Sequence, residues 1–350
     1  YPNEFVAALT EAGYLAALIP EMYGGSGLPI SAAVAILEEI HRSGCNGAAC
    51  HAQMYIMGTV LRHGSTEQKQ RYLPSIASGE LRLQAFGVTE PNTGSDTTQL
   101  RTMAVRDADG YVVNGQKIWT SRAEYSDLLL LLARTTPLEE VKLRRHGLSV
   151  FLVDMRDVEG LEIRPIRTMI NHSTTEIFFD KVPIPASSLI GEEGKGFVYQ
   201  MMQFQEERLF LSASILKAMD RVLDDTIEYT RGRKAFGQAV LDNQYVQFRI
   251  AELATEIEAV RGIIDKAVGA LIEGEDVTLL ASMAKLKSAR VAREVCDASL
   301  QFWGGQGFMW ESTVAQFYRD LRLHSIGGGA DEVMLQIISK RLGLAAGKRK

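Results

Sequence analysis

The spacing of apolar positions changes twice along this 350-residue chain. From residue 1 to about 83 it is helical. Ser31–Arg42 carries Val34, Ile36, Leu37 and Ile40 near the helical period, with Ser31 as the N-cap. Tyr55–Leu61 and Glu67–Tyr72 continue the pattern, with breaks at residues 24–27 and at Gly64-Ser65. Pro2–Glu11 also reads as a helix, so the chain opens inside helical sequence and a further helix upstream is expected. Between residues 84 and 189 short β-rich runs alternate with turn signals. They are Thr102–Val105, Tyr111–Val113, Lys117–Thr120, Asp127–Ala133, Leu148–Val153 and Glu176–Phe179, with turns at Asp109-Gly110 and Asn114-Gly115. Asn-Gly predicts a hairpin, and the even spacing predicts an antiparallel barrel or sandwich. From residue 190 the helical period returns over long stretches: Tyr199–Arg231, Val240–Ile272 and Val277–Phe302. Three or four long helices with short links predict a bundle. The fold class is therefore α+β, with domains over residues 1–83, 84–189 and 190–350.

Composition narrows the class. Hydrophobic residues make up 46% and charged residues 23%, the balance of an ordinary globular protein long enough for a large core. The net charge of −5, from 43 acidic and 38 basic residues, argues against a nucleic-acid or anionic-membrane surface. The basic run Lys348–Lys350 reads as a frayed tail. The longest apolar run, Leu128–Ala133, is far too short to cross a bilayer and reads as a buried strand. Three cysteines, Cys45, Cys50 and Cys296, suggest a reducing compartment without disulfides. His41, Cys45, Cys50 and His51 match no zinc spacing, so no metal site is expected.

Phe86–Asp96, FGVTEPNTGSD, carries the first chemical signal. Phe86, Val88 and Thr89 favour a strand, which Pro91, Asn92 and Gly94 end. Such a turn gathers backbone N–H groups and small hydroxyls, which suits an anionic or carbonyl-rich ligand. Four strings follow: KIWTS at Lys117–Ser121, RGRKAFG from Arg231 with Gln244 beyond it, QFWGGQG from Gln301, and SIGGGADEVM from Ser325. Taken singly, Trp119 reads as a core aromatic, Arg233-Lys234 as a solvated helix end and Gly304-Gly305 as a helix C-cap. Their joint order says more.

The blocks TEPxxGSD, RKxFG and GGxG, in this order and spacing, resemble those of the acyl-CoA dehydrogenase superfamily of flavoproteins over essentially the whole chain. The resemblance implies an N-terminal helical domain, a middle β-domain and a C-terminal four-helix bundle, with FAD between the last two. It implies a homodimer or homotetramer that oxidises an acyl-CoA to the trans-2-enoyl-CoA. Electrons would pass to an electron-transfer flavoprotein, in a bacterial cytoplasm or a mitochondrial matrix. Phe86, Val88, Thr89, Gly94 and Ser95 would line the flavin, with Thr89 on its pyrimidine side and Ser95 at phosphate or the acyl thioester. Trp119 and Thr120 would pack beside it, and the Ser121 hydroxyl would approach N5. Arg233, Phe236 and Gln244 would meet the adenosine part of an FAD held by a neighbouring subunit. Gln301, Gly304 and Gly305 would lie against the pyrophosphate, where glycine lets the backbone approach closely. Asp331 and Glu332 align with further FAD-contacting positions.

The reaction needs a base for the α proton. Many relatives carry that glutamate in the loop before the last helix, and here the matching residue is Gly328. Long-chain and isovaleryl-type relatives carry it on the first long helix of the bundle, just before an arginine and a leucine. This chain has Glu206-Glu207-Arg208-Leu209 there, which makes Glu207 the candidate catalytic base. Glu206 lies about 100° around the helix and cannot share its pocket. Arg208, Gly328 and Gly329, with Ser95, are the candidate substrate contacts, and the Gly328 N–H would bind the thioester oxygen. A glycine loop frees volume, so a medium-to-long or branched acyl group is expected. In Met169–Thr175, Asn171 and His172 are candidates to approach the acyl or pantetheine portion. Three other readings stay open: an oxygen-using oxidase or monooxygenase, a carrier-protein-tethered acyl substrate, and a non-catalytic flavin-binding subunit.

Overall fold

The structure, a computed structural model, describes residues 1–170 and 173–344. The expectation for Asn171 and His172 falls outside the described residues. The chain divides into two units: residues 1–29 with 48–204, and residues 30–47 with 205 onward. Four helices open it: α1 (Asn3–Glu11), α2 (Ile30–Arg42), α3 (Ala48–His63) and α4 (Thr66–Ser78). Ser31 does not cap α2, because the helix starts one residue earlier. Pro29 stands just before that start, where its missing N–H removes no helical hydrogen bond. Ser65 does cap α4. Its hydroxyl accepts from Gln68 N while its own N–H donates to the Gln68 side chain, which satisfies two orphan groups at once.

The first unit also holds an eight-stranded sheet. Its strands are β1 (Ala85–Gly87), β2 (Met103–Asp107), β3 (Gly110–Ser121), β4 (Leu128–Arg134), β5 (Leu148–Asp154), β6 (Leu161–Pro165), β7 (Thr174–Pro185) and β8 (Leu189–Ile190). The order is β6-β7-β3-β2-β4-β5-β8, with β1 beside β4. Most pairs are antiparallel, whereas β1 and β2 each run parallel to β4. All seven residues of β4 are buried, as its unbroken apolar run requires of a central strand. Leu129, Leu131, Phe151, Ile177 and Phe179 share one core, in which Tyr111 meets Phe151 edge to face at 4.9 Å.

Asn114-Gly115 is not a hairpin. The turn lies at Ala108-Asp109, and β3 runs straight through residues 114 and 115. Gly115 marks a register shift against β7, with φ of +144° and Thr102 only 2.6 Å from where a Cβ would sit. Close backbone approach at a bulge is the other use of a strand glycine.

One buried ion pair shapes the turn after β1. Lys117 is fully buried, and its Nζ donates to Glu90 Oε1 at 2.8 Å and to the Val88 carbonyl at 3.0 Å. Glu90 also accepts from Arg101 N and Thr102 N at 2.7 and 2.9 Å. Burial pushes the Glu90 carboxyl up, but the Lys117 charge and these donors outweigh it and hold the group below its ordinary range. Burial lowers the Lys117 ammonium to about 8, against the pull of Glu90.

The second unit is built on α5 (Gly196–Gly232), α6 (Gln244–Ile272), α7 (Thr278–Trp303), α8 (Thr313–Arg322) and α9 (Asp331–Arg341). The ribbon of β9 (Lys234–Ala235) and β10 (Gln238–Ala239) separates α5 from α6. The buried stripe of α6 is Val246, Ile250, Leu253, Ile257, Val260, Ile264 and Ala267, alternating steps of four and three. Tyr245 and Phe248 lie off that stripe and are exposed. Tyr229 stacks on Trp303 at 4.1 Å, and the indole N–H donates to Thr226 Oγ1, which ties α5 to α7. Among the described residues no helix is long and apolar enough to cross a membrane.

Glu90→Gln removes the charge that the buried Lys117 faces. It is expected to destabilise the β domain by about 3–5 kcal/mol, read as earlier urea unfolding, and adding Lys117→Met is expected to recover most of the loss.

Candidate active site

Glu207 stands on α5 between buried neighbours, Arg208 and Leu209 on one side and Gln203 one turn back. The residue is half-buried, yet its carboxyl sits deep enough for desolvation to dominate. Desolvation raises its pKa to about 7, against the lowering effect of Arg208 and Lys285. A carboxyl poised there suits proton abstraction near neutral pH.

The loop before α9 comes up against this group. Gly328 and Gly329 have φ of +64° and +92°, the left-handed region that glycine enters at no steric cost. A Cβ on Gly328 would lie 3.6 Å from Glu207 Oε1 and 3.4 Å from Leu211. A Cβ on Gly329 would lie 2.6 Å from Met334 Cε, so this position has no room for a side chain. The Arg208 guanidinium is 3.8 Å from the same point. Among the described residues nothing accepts a hydrogen bond from the Gly328 N–H. Glu207, Arg208, Gly328 and Gly329 are thus brought together, with a fifth member that the sequence did not single out. Lys285 on α7 is fully buried and donates from Nζ to the Gly329 carbonyl. In sequence it sits in Lys285-Leu286-Lys287, where no local signal marks it as buried.

The other expected residues fall into three groups. In the first unit, Val88 is buried, Phe86 and Thr89 are half-buried, and Gly94 and Ser95 are exposed. The Thr89 carbonyl accepts from Ile118 N, which joins this turn to the end of β3. There Trp119 is 56% exposed with φ of +60°, so it is not the core aromatic that it resembles when taken alone. Thr120 is buried, and its Oγ1 has no partner among the described residues; Ser121 is half-buried. In the second unit, Gln301, Asp331 and Glu332 line a cleft of about 1000 Å³. Arg249, Arg290, Arg293 and Arg322 line it too, beside Tyr245 and Phe302. Gly304 and Gly305 are exposed next to Trp303, and Gly304 ends α7 as its C-cap with φ of +59°. The third group is Arg233, Phe236 and Gln244, exposed around the ribbon and outside the cleft lining. Phe236 is fully exposed at φ of +52°, a conformation that costs a non-glycine residue about 1–3 kcal/mol.

Residues 1–80, 85–182 and 194–343 match the N-terminal, middle and C-terminal domains of acyl-CoA dehydrogenases. The chain belongs to the acyl-CoA dehydrogenase family. It is 33% identical over 335 residues to the mitochondrial long-chain specific acyl-CoA dehydrogenase of Sus scrofa, covering 94% of this chain and 77% of that one. It is 34% identical over 349 residues to cyclohexane-1-carbonyl-CoA dehydrogenase of Geobacter metallireducens, covering 97% and 89%. The fold matches a solved acyl-CoA dehydrogenase from Geobacillus kaustophilus with a TM-score of 0.93, at 34% identity, over 98% of this chain and 90% of that one. The family fold of N-terminal helices, middle β-sheet domain and C-terminal helical bundle is the one described above. The dehydrogenase is an FAD-dependent oxidoreductase. Its residues fit such a group: four guanidinium-bearing side chains line one cleft, exposed rings stand at Trp119 and Phe236, and the buried Thr120 hydroxyl lacks a partner among the described residues.

Burial of Glu207 has a measurable effect on stability. In the unfolded chain the carboxyl titrates near 4.5, and in the folded enzyme at about 7. The folded state therefore holds the proton more tightly between these values, and stability falls as pH rises through that window. Glu207→Gln is expected to melt with the parent enzyme near pH 4.5. At pH 8 it is expected to be more stable, by about 1–3 kcal/mol, in thermal melts across pH.

Proposed function

We infer that Glu207 takes the α proton of an acyl-CoA thioester while the Gly328 N–H holds the thioester oxygen. The observation that carries this reading is the 3.6 Å approach of Glu207 Oε1 to the place where a residue-328 side chain would begin. A helix carboxylate there fills the space that the loop leaves open. The Gly328 N–H has no other described acceptor, and a donor aimed at a developing enolate oxygen lowers the barrier to its formation. Arg208 and Lys285 keep Glu207 from rising further and becoming permanently protonated. Glu206 lies on another face of α5 and has no part in the step.

FAD, when bound, supplies the acceptor for the hydride that leaves the β carbon. Phe86, Val88, Thr89, Gly94, Ser95, Trp119, Thr120 and Ser121 are candidate FAD contacts. Gln301, Gly304, Gly305, Asp331 and Glu332 are further candidates. Arg233, Phe236 and Gln244 would serve a neighbouring subunit of a homodimer or homotetramer, a role supported by the outward, strained Phe236. The relatives' names and the glycine loop support a medium-to-long, branched or cyclic acyl group. The electron acceptor would be an electron-transfer flavoprotein, in a bacterial cytoplasm or a mitochondrial matrix.

Glu207→Gln is expected to keep its FAD and lose at least about 100-fold in dehydrogenation rate, whereas Glu206→Gln keeps most of it. The readout is anaerobic bleaching of the yellow enzyme by acyl-CoAs of varied length and branching. Fast bleaching of the Glu207 variant would remove it as the base. A base must be ionised to act, so kcat/KM of the parent enzyme is expected to rise with pH up to about 7 and level off above it.

A further inference from the structure

We propose that Lys285 is a positioning residue for proton abstraction. It acts through the Gly329 carbonyl on the loop bearing the Gly328 N–H, and through its charge on the Glu207 carboxylate. The proposal rests on the reading of Glu207 as base and Gly328 as donor.

Three observations lead to it. Gly327, Gly328 and Gly329 form a run with no side chain to hold it, and glycine loses more conformational freedom on ordering than any other residue. The last two also sit in the left-handed region. Such a loop keeps one conformation only if it is held from outside; α7 bonds its backbone once and ties the helix that follows it. Lys285 Nζ bonds the Gly329 carbonyl, and Arg290 Nε reaches Asp331 Oδ2 at 3.3 Å, at the first residue of α9. The second observation is that Lys285 is fully buried, yet its Nζ bonds a neutral carbonyl. A buried ammonium that served stability alone would do better with a directly bonded carboxylate. The third is the electrostatic surroundings. Lys285 feels Asp331 and Glu332 from α9, and Glu207 and Arg208 from α5. Glu207 feels Arg208 on its own helix and Lys285 across from α7. Lys285 therefore touches the loop and biases the carboxylate, so one side chain couples the placement of the donor to the ionisation of the base.

The hydrogen bond and the charge can be separated. Lys285→Gln keeps a donor without the charge, Lys285→Met removes both, and Lys285→Arg keeps the charge. Holoenzymes of all three are compared with the parent by FAD content, by kcat and KM across pH, and by infrared titration of the Glu207 carboxyl. Subtracting the spectrum of Glu207→Gln isolates that band. In Gln and Met the band and the acid limb of kcat/KM are expected to move together to higher pH, by about one unit. Met alone is expected to lose a further tenfold or so in kcat, with KM within about twofold, because the donor loop is no longer held. Arg is expected to retain the parent pH profile. If Met does not fold, Gln and Arg still decide the charge coupling. An unmoved acid limb and an unmoved Glu207 band in Gln overturn the proposal. A shifted band with an unmoved acid limb also overturns it, and traces the failure to Glu207 as base rather than to Lys285. A parent-like kcat in Met overturns the loop coupling.

Discussion

A buried lysine bound to a backbone carbonyl holds each of the two loops from which the proposed site is built. Lys117 grips the Val88 carbonyl at the start of the TEPNTGSD turn, and Lys285 grips the Gly329 carbonyl in the glycine loop. An ammonium taken out of water is costly unless it is fully coordinated, so wherever it settles, the segments around it have little freedom. That constraint turns two glycine-bearing, otherwise floppy strings into fixed walls.

The carboxylates near these lysines behave oppositely under the same force. Desolvation pushes up both Glu90 and Glu207. Glu90 bonds its lysine directly and accepts two backbone N–H groups, so its charge is secured and the group is structural. For Glu207 the charges of Arg208 and Lys285 fall short of the desolvation cost, which leaves the group titrating near neutrality. A carboxyl that can both give and take a proton is useful for catalysis and poor for stability, which is why burial of Glu207 carries a penalty that burial of Glu90 does not.

Backbone strain and exposure coincide at two of the candidate cofactor positions. Trp119 and Phe236 are bulky, exposed and left-handed, a combination that no internal packing rewards. Both belong to strings that the sequence had already set apart, KIWTS and RKAFG. The arginine-lined cleft adds a charge pattern beside Gln301, Asp331 and Glu332 that the motifs alone did not disclose.

Periodicity was enough to find the longer helices and most strands, because a buried stripe must recur at the period of its element; the short α8 was not read from it. Glu207 came from the family resemblance instead, which places the base on this helix when the loop position, here Gly328, carries none. Where local signals had two uses, sequence chose wrongly. Asn114-Gly115 could serve a hairpin or a bulge, and only Thr102 packed against Gly115 decided it. Ser31 could cap a helix or sit inside one, and the start of α2 at Ile30 decided that. The partners of Lys117 and Lys285 were not legible at all, since Glu90 lies 27 residues away and Gly329 lies 44. Sequence by itself determined most of the elements, the family and the residue types of the candidate site, because those depend on local pattern and motif order. Tertiary structure alone decided which charges are desolvated and what they face, because burial is a property of the whole packed chain.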